Sequence, residues 1–266
     1  VPQVMMEGAI LASPIGFRAA GASALCISSA STTCSITPAA RPPYSAGQEM
    51  AASPASASFI AKQAEAVIKD IGVDTIKTGM LYSDEMVSTV AELVKKHNLL
   101  AVVDPVMIAK GGAALLKKEA IDAVRNQLLP STYLLTPNIP EAEALTGKEI
   151  KTLEEMEEAA KELQAMGPRH VLLKGGHRDG DAIDVLLAGT SIQRLAAERT
   201  DTANTHGTGC SYSAALATFL AQGLPLVKAA ASAKLFINEA IRYADPLGGG
   251  HGPINHFVGA KAVRDA

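Results

Sequence analysis

The chain of 266 residues has no tryptophan, and aromatic residues make up only 4% of it. That argues against a surface built to stack nucleic-acid bases. A basic excess is also missing: 24 Lys and Arg stand against 27 Asp and Glu, for a net charge of −3, so electrostatics gives no reason to expect a nucleic-acid partner. No apolar run approaches the roughly 18 residues of a membrane span. The N-terminus lacks the positive region and continuous apolar core of a signal peptide, so a cytoplasmic location is the default expectation. The three cysteines, Cys26, Cys34 and Cys210, have no metal-ligand spacing, which argues against a disulfide framework or a zinc site. The Gly-x-x-x-x-Gly-Lys-Ser/Thr string is absent, which excludes a P-loop nucleotide site.

What is present divides unevenly. Residues 1–58 contain no Lys and no Asp, the first of each being Lys62 and Asp70. This segment is dense in Ala, Ser and Pro and shows no sustained period of 2 or 3.6. Two readings stay open: a loop-rich or poorly ordered leader, or text outside the authentic protein, such as a misread frame. From Phe59 to residue 266 the pattern is that of one α/β domain. Amphipathic or capped stretches predict helices over 59–70, 84–97, 117–129, 153–166, 208–222 and 226–243. Short apolar runs predict strands over 73–78, 99–103, 133–136 and 170–174, with a hairpin over 182–187 and 192–197. Repeated βα units imply a mainly parallel sheet.

In such sheets ligands bind beyond the carboxyl ends of the strands, and polar or glycine-rich text follows each predicted strand. Asp104-Pro105-Val106-Met107, Thr136-Pro137-Asn138-Ile139-Pro140-Glu141 and Lys174-Gly175-Gly176-His177 each sit at such an end. Asn204-Thr205-His206-Gly207-Thr208-Gly209-Cys210 runs directly into an apolar helix pattern. Its glycines permit a tight turn, and the helix start supplies N–H groups and a positive dipole end suited to a phosphate. Cys210 lies at that mouth, where a positive helix end favours a thiolate. Carboxylates for Mg²⁺, a lysine for phosphates and a cradle of N–H groups are the inventory of phosphoryl transfer. Each piece has a plainer reading by itself. Asp104 can be a strand-end turn, Asn138 and Glu141 a helix capping box, Lys174 a solvated strand terminus and Met80 core filler. His177 and His251 read as turn or supporting residues.

Together, Lys77-Thr78-Gly79-Met80-Leu81, Val103-Asp104-Pro105-Val106-Met107, Thr136-Pro137-Asn138-Ile139-Pro140-Glu141-Ala142, Leu173-Lys174-Gly175-Gly176-His177, the 204–210 string and Gly250-His251-Gly252-Pro253-Ile254-Asn255-His256 resemble the hydroxymethylpyrimidine/phosphomethylpyrimidine kinases of thiamine biosynthesis. These belong to the ribokinase-like superfamily, and the resemblance runs from about Phe59 to Phe257. It implies a three-layer α/β/α fold with a mainly parallel central sheet. It also implies ATP and Mg²⁺, with phosphorylation of the pyrimidine hydroxymethyl group and then of the monophosphate. By resemblance Asp104, Asn138 and Glu141 belong to the metal site, and Lys174, Thr205, His206 and Lys234 to the nucleotide site. Gly207, Thr208 and Gly209 form the anion hole, Cys210 stands where relatives carry a base, and Met80 and Val106 pack on the pyrimidine. A homodimer is compatible with the family.

Members of the family open with a strand and a Gly-Ser-Asp-Ser-Gly-Gly-Gly-like stretch that residues 1–58 do not contain. The expectation is therefore a sheet lacking its first strands and a substrate pocket lacking part of its wall. A vitamin B6 kinase of the same fold, and a non-catalytic nucleotide-binding relic, are the rival readings.

Overall fold

The computed structural model describes residues 10–12, 24–27, 56–107, 118–176, 180–246 and 250–266. Strands β1 (Ile10–Ala12), β2 (Ala24–Ile27), β3 (Thr75–Thr78), β4 (Leu100–Val103), β5 (Leu134–Leu135), β6 (His170–Leu173), β7 (Asp184–Ala188) and β8 (Ser191–Leu195) form one sheet in chain order. Neighbours from β2 to β6 are parallel; β1 and the β7–β8 hairpin add antiparallel edges. The helices are α1 (Ala57–Asp70), α2 (Asp84–His97), α3 (Lys118–Ala123), α4 (Ile139–Thr146), α5 (Leu153–Ala165), α6 (Thr208–Ala221), α7 (Leu226–Arg242) and α8 (His256–Arg264).

Successive parallel strands added in one direction, each through a right-handed crossover, place all the connecting helices on the same face. Helices α1 to α5 do so, packing on a core that includes Ile76, Ala101, Val103, Leu135, Val171 and Leu173. The opposite face is left for the C-terminal helices. There α6 and α7 pack on Val102, Leu134, Leu172 and Leu186. The alternation of Val102 with Val103, of Leu134 with Leu135 and of Leu172 with Leu173 between two cores is the period-2 signature of a strand buried on both faces. The fold is the ribokinase-like α/β/α architecture.

Two expectations change. Residues 1–58 do contribute strands: β2 pairs in parallel with β3, with Leu25 opposite Ile76, and Leu25 is fully buried. A run of only four apolar residues carries no alternation, so periodicity could not expose it. The helix expected over 117–129 is α3 followed by a π-helical turn at Val124–Leu128 and a 3₁₀ turn at Leu129–Ser131. Pro130 cannot donate to a continuing helix. Among the described residues no helix is long and apolar enough to cross a membrane.

Candidate active site

Helix α6 runs back along the sheet against the strand direction. Thr75, at the start of β3, donates through its hydroxyl to the Ala217 carbonyl late in α6 at 2.9 Å. Ser213, near the start of α6, reaches Asp104 just beyond the end of β4. The N-terminus of α6 therefore lies at the carboxyl ends of β3 and β4, where a ligand is expected. Gly207 opens this helix with φ +84° and no side-chain cap, a backbone region that glycine adopts without steric cost. The first intrahelical bond is Ser211 N–H to the Gly207 carbonyl at 2.9 Å. The N–H groups of Gly209 and Cys210 precede it, in the first turn where a helix offers no intrahelical acceptor.

Asp104 organises this end of the sheet. It is 1% exposed, and its Oδ1 lies 2.7 Å from Lys174 Nζ while Oδ2 lies 3.7 Å from Lys77 Nζ. The Ser213 hydroxyl is 3.1 Å from Oδ2 and also within reach of the Gly209 and Cys210 carbonyls. Burial alone would raise the Asp104 carboxyl, but the two ammonium groups hold it below its ordinary value. Burial likewise works against the Lys174 ammonium. The charges of Asp104 and Glu141, with a smaller contribution from Cys210, outweigh it and hold Lys174 above the usual lysine value. A Cβ placed on Gly209 would come within 3.4 Å of Lys174 Nζ, so the ammonium rests against the helix entrance.

Asn138 and Glu141 form a complete capping box on α4. Glu141 N–H donates to Asn138 Oδ1 at 2.9 Å, and Asn138 N–H donates to Glu141 Oε2 at 2.8 Å. The capping reading is thus realised in the fold. It does not remove Glu141 from the site, because the Lys174 backbone N–H donates to the Pro137 carbonyl at 2.8 Å, which ties the α4 entrance to the end of β6. Glu141 is buried, and burial followed by the neighbouring Asp104 charge pushes its carboxyl up to about 7 against the pull of Lys174.

This has a consequence for stability. The folded value of about 7 lies above the ordinary 4.5. Between those values the unfolded chain ionises while the folded one does not, so stability falls as pH rises through that window and levels off above it. The loss is on the order of 3 kcal/mol. Glu141→Gln, which keeps an acceptor for the Asn138 N–H, is expected to flatten that slope in urea titrations between pH 4.5 and 8. An unchanged slope would place the titration elsewhere.

The remaining residues singled out from sequence are distributed around this cluster. Val106 lines a small cavity together with Thr78, Gly79, Leu81 and Asp104. Met80 packs half-buried against the core on the α1–α5 face. Thr205 and His206 lie on the loop before α6. The Thr205 carbonyl accepts from the Thr208 hydroxyl at 2.8 Å, and the His206 N–H donates to the Gly252 carbonyl at 3.0 Å. That bond and the His206–Pro253 bridge strap the C-terminal Gly-His-Gly-Pro string onto the anion loop. A Cβ on Gly252 would sit 2.3 Å from Asn204 Oδ1, so the close approach requires glycine there. Lys234 lies apart from Asp104: its Nζ is 2.7 Å from Asp184 Oδ2 and donates to the Ala182 carbonyl at 2.8 Å. His177 lies outside the described residues.

Lys77, Ser213, Asp184 and Tyr212 were not assigned roles from sequence. Their signals are a charged residue inside a four-residue strand buried throughout, for Lys77, and polar groups at buried positions for the others. Among the described residues no group of three or more His, Cys, Asp or Glu side chains could hold a metal alone. Two carboxylates are nevertheless suited to Mg²⁺, which keeps several waters and takes its remaining oxygens from substrate phosphates.

Comparison with known proteins identifies the family. The phosphomethylpyrimidine kinase family model matches residues 30–255, reaching back beyond Phe59. The thiamine biosynthesis bifunctional protein ThiED of Geobacter sulfurreducens is 51% identical over 78% of this chain, which spans only 43% of that protein's length. The hydroxymethylpyrimidine/phosphomethylpyrimidine kinase of Bacillus subtilis is 40% identical over 77% of both chains. Among solved structures, an ADP complex of Bacillus subtilis pyridoxal kinase superposes with a TM-score of 0.73 at 39% identity, covering 77% of this chain and 78% of the other. With a family model spanning residues 30–255 and a carboxylate–lysine–helix cluster at the strand ends, this chain belongs to the phosphomethylpyrimidine kinase family.

Proposed function

We propose that the chain is an ATP-dependent kinase that phosphorylates 4-amino-5-hydroxymethyl-2-methylpyrimidine and then its monophosphate, in thiamine biosynthesis. The observation that carries this is the placement of Lys174 between Asp104 and the N-terminus of α6, with the ammonium 2.7 Å from the carboxylate. Phosphoryl transfer is catalysed mainly by positioning and by charge aimed at the transferring group. In this reading Lys174 exchanges part of its contact with Asp104 for the ATP phosphates. Gly207, Thr208 and Gly209 form the turn that presents backbone N–H groups to the transferring phosphoryl, the Thr208 N–H itself donating to the Thr205 carbonyl. Thr205 and His206, on the same loop, border the nucleotide, and Met80 and Val106 border the pyrimidine ring. Asp104 and Glu141 would hold Mg²⁺, with Asn138 keeping Glu141 in place through the capping box. When bound, the metal would neutralise phosphate charge. Cys210 accepts the proton of the substrate hydroxyl.

Lys174→Ala is expected to weaken ADP binding about 10-fold, the loss of one charge-assisted contact, as read by calorimetry. Intact affinity would remove Lys174 from the nucleotide site. The reaction itself is tested by ADP release from ATP–Mg²⁺ with hydroxymethylpyrimidine, its monophosphate and pyridoxal as acceptors. Turnover on both pyrimidines supports the reading. The similarity to Bacillus subtilis pyridoxal kinase favours one alternative, a pyridoxal kinase, and turnover on pyridoxal alone would select it. ADP binding without turnover on any acceptor would mark a nucleotide-binding relic.

A further inference from the structure

A second buried carboxylate sits on the other side of the Lys174–Gly175 turn. Asp184, the first residue of β7, is 2% exposed. Its Oδ1 accepts the Gly175 N–H at 2.9 Å; its Oδ2 accepts from Lys234 Nζ at 2.7 Å and from the Tyr212 hydroxyl at 3.0 Å. Burial and the Asp184 charge keep that phenol protonated, so it is the donor. Gly175 is pressed against the next strand so closely that a Cβ there would stand 1.8 Å from the Ile183 carbonyl oxygen. The turn therefore cannot move outward without giving up the bond to Asp184.

These contacts form a pattern. Asp104 holds the Lys174 side chain, and Asp184 holds the backbone of the next residue. Each carboxylate also reaches α6 through adjacent residues, Asp104 through Ser213 and Asp184 through Tyr212. Cys210 lies two residues before Tyr212 on that helix. Lys234 adds α7 to the same point. Its ammonium, on a side chain 10% exposed, already donates to a carboxylate and a carbonyl. Turning it toward a nucleotide would strand Asp184, which among the described residues has no second ammonium at ion-pair distance, whereas Asp104 keeps Lys77 when Lys174 turns.

We infer that Asp184 is a positioning residue for the phosphoryl-transfer site, and that Lys234 acts through Asp184 and not on the nucleotide. The inference rests on the kinase reading above. The carboxylate joins the Lys174–Gly175 turn, α6 and α7, and so sets the separation between the Lys174 ammonium and the Cys210 end of α6. The pair formed by Asp184 and Lys234 is internally neutral and adds no net charge to the phosphate site; its contribution is directional.

A double-mutant cycle tests this. The kinetic constants for ATP and for hydroxymethylpyrimidine, ADP affinity by calorimetry and the thermal midpoint are measured for wild type, Asp184→Asn, Lys234→Met and the double variant. Each single variant is expected to lower kcat about 10-fold, with the KM for the pyrimidine within about twofold. In the Asp184→Asn background Lys234→Met should then change neither kcat nor ADP affinity by more than about twofold, because residues that act as one unit are non-additive. Independent action of Lys234 on the nucleotide would show as the same loss of ADP affinity in both backgrounds, and would overturn the inference. A lowered thermal midpoint with unchanged kinetic constants would also overturn it, since the cluster would then serve only the fold. Tyr212→Phe covers the case in which Asp184→Asn does not fold. It removes one donor and keeps the ring, and is expected to lower kcat about threefold with little change in thermal midpoint, in line with the modest net contribution of one hydrogen bond. An unchanged kcat would count against the inference. The ADP arm needs no acceptor, so its result is separable from failure of the pyrimidine reading.

Discussion

Asp104→Ala is expected to destabilise the protein by about 3–5 kcal/mol and to remove turnover, because it strands buried charges. In the wild type one carboxylate, 1% exposed, is the counter-charge shared by two lysines, with Lys174 at 2.7 Å and Lys77 at 3.7 Å. Truncation leaves two ammonium groups with little access to water and without that shared counter-charge. Replacing a whole buried pair by apolar groups is often nearly neutral, whereas removing one partner is not. Asp104→Ala combined with Lys77→Met should therefore recover part of the lost stability without restoring turnover. Urea unfolding of the single and double variants gives the stability terms, and ADP release gives the activity. A single variant within about 1 kcal/mol of wild type would be in the range of an exposed ion pair, and would show that the charges are not coupled as the geometry indicates.

The same arrangement gives Lys77 a place in the site. Lys77 lies on β3, a strand buried throughout, and its ammonium approaches the Asp104 oxygen that faces Ser213. Lys174 lies against the helix entrance, bonded to the other oxygen. In the proposed reading phosphates draw Lys174 away, and Lys77 remains as the cation beside Asp104. Two lysines of different reach around one carboxylate thus separate a fixed charge from one that can be redirected.

The sequence makes the alternation of strands and helices legible wherever the hydrophobic pattern is long. Helix α2 occupies the predicted 84–97, with Ser83 as its N-cap, acids in the first turn and Lys95, Lys96 and His97 in the last, each complementing the helix dipole. Strand β5, at Leu134–Leu135, is shorter than the predicted 133–136. Short buried strands carry little pattern, which is also why β2 went unseen. Helix α4 is eight residues long and was visible only as its capping box, Asn138 to Glu141. The site was legible as a set of strand ends because parallel topology brings those ends to one edge. What one-dimensional text could not show is which buried charges face each other. Lys77 and Asp104 are separated by a helix and a strand, and Asp184 meets Lys234 across 50 residues. The first pairing follows from the parallel register of β3 and β4, and the second from how α7 covers the second face of the sheet.

Cys210→Ala is expected to lower kcat about 100-fold or more while leaving ADP affinity within about twofold, because a positioned general base contributes roughly 10²–10⁴-fold. Cys210 is an exposed thiol in the first turn of α6. It stands close enough to Lys174 for its charge to help hold that ammonium above its ordinary value. The helix start and the ammonium together favour negative charge at this position, which is the state needed to accept the substrate hydroxyl proton. In the proposed reading the nucleotide is held instead by backbone N–H groups and by Lys174, none of which the substitution removes. Cys210→Ser tests chemistry against shape. The hydroxyl fills nearly the same volume but is a far weaker base at neutral pH, its thiol counterpart having an ordinary pKa near 8.5. A serine variant as slow as the alanine variant, with unchanged ADP affinity in both, would assign proton transfer to the thiolate. Full turnover in the alanine variant would place the base elsewhere at this edge. Loss of ADP affinity in step with kcat would instead mean that the side chain shapes the anion loop, and Cys210 would then belong with Gly207 and Gly209 as part of the cradle.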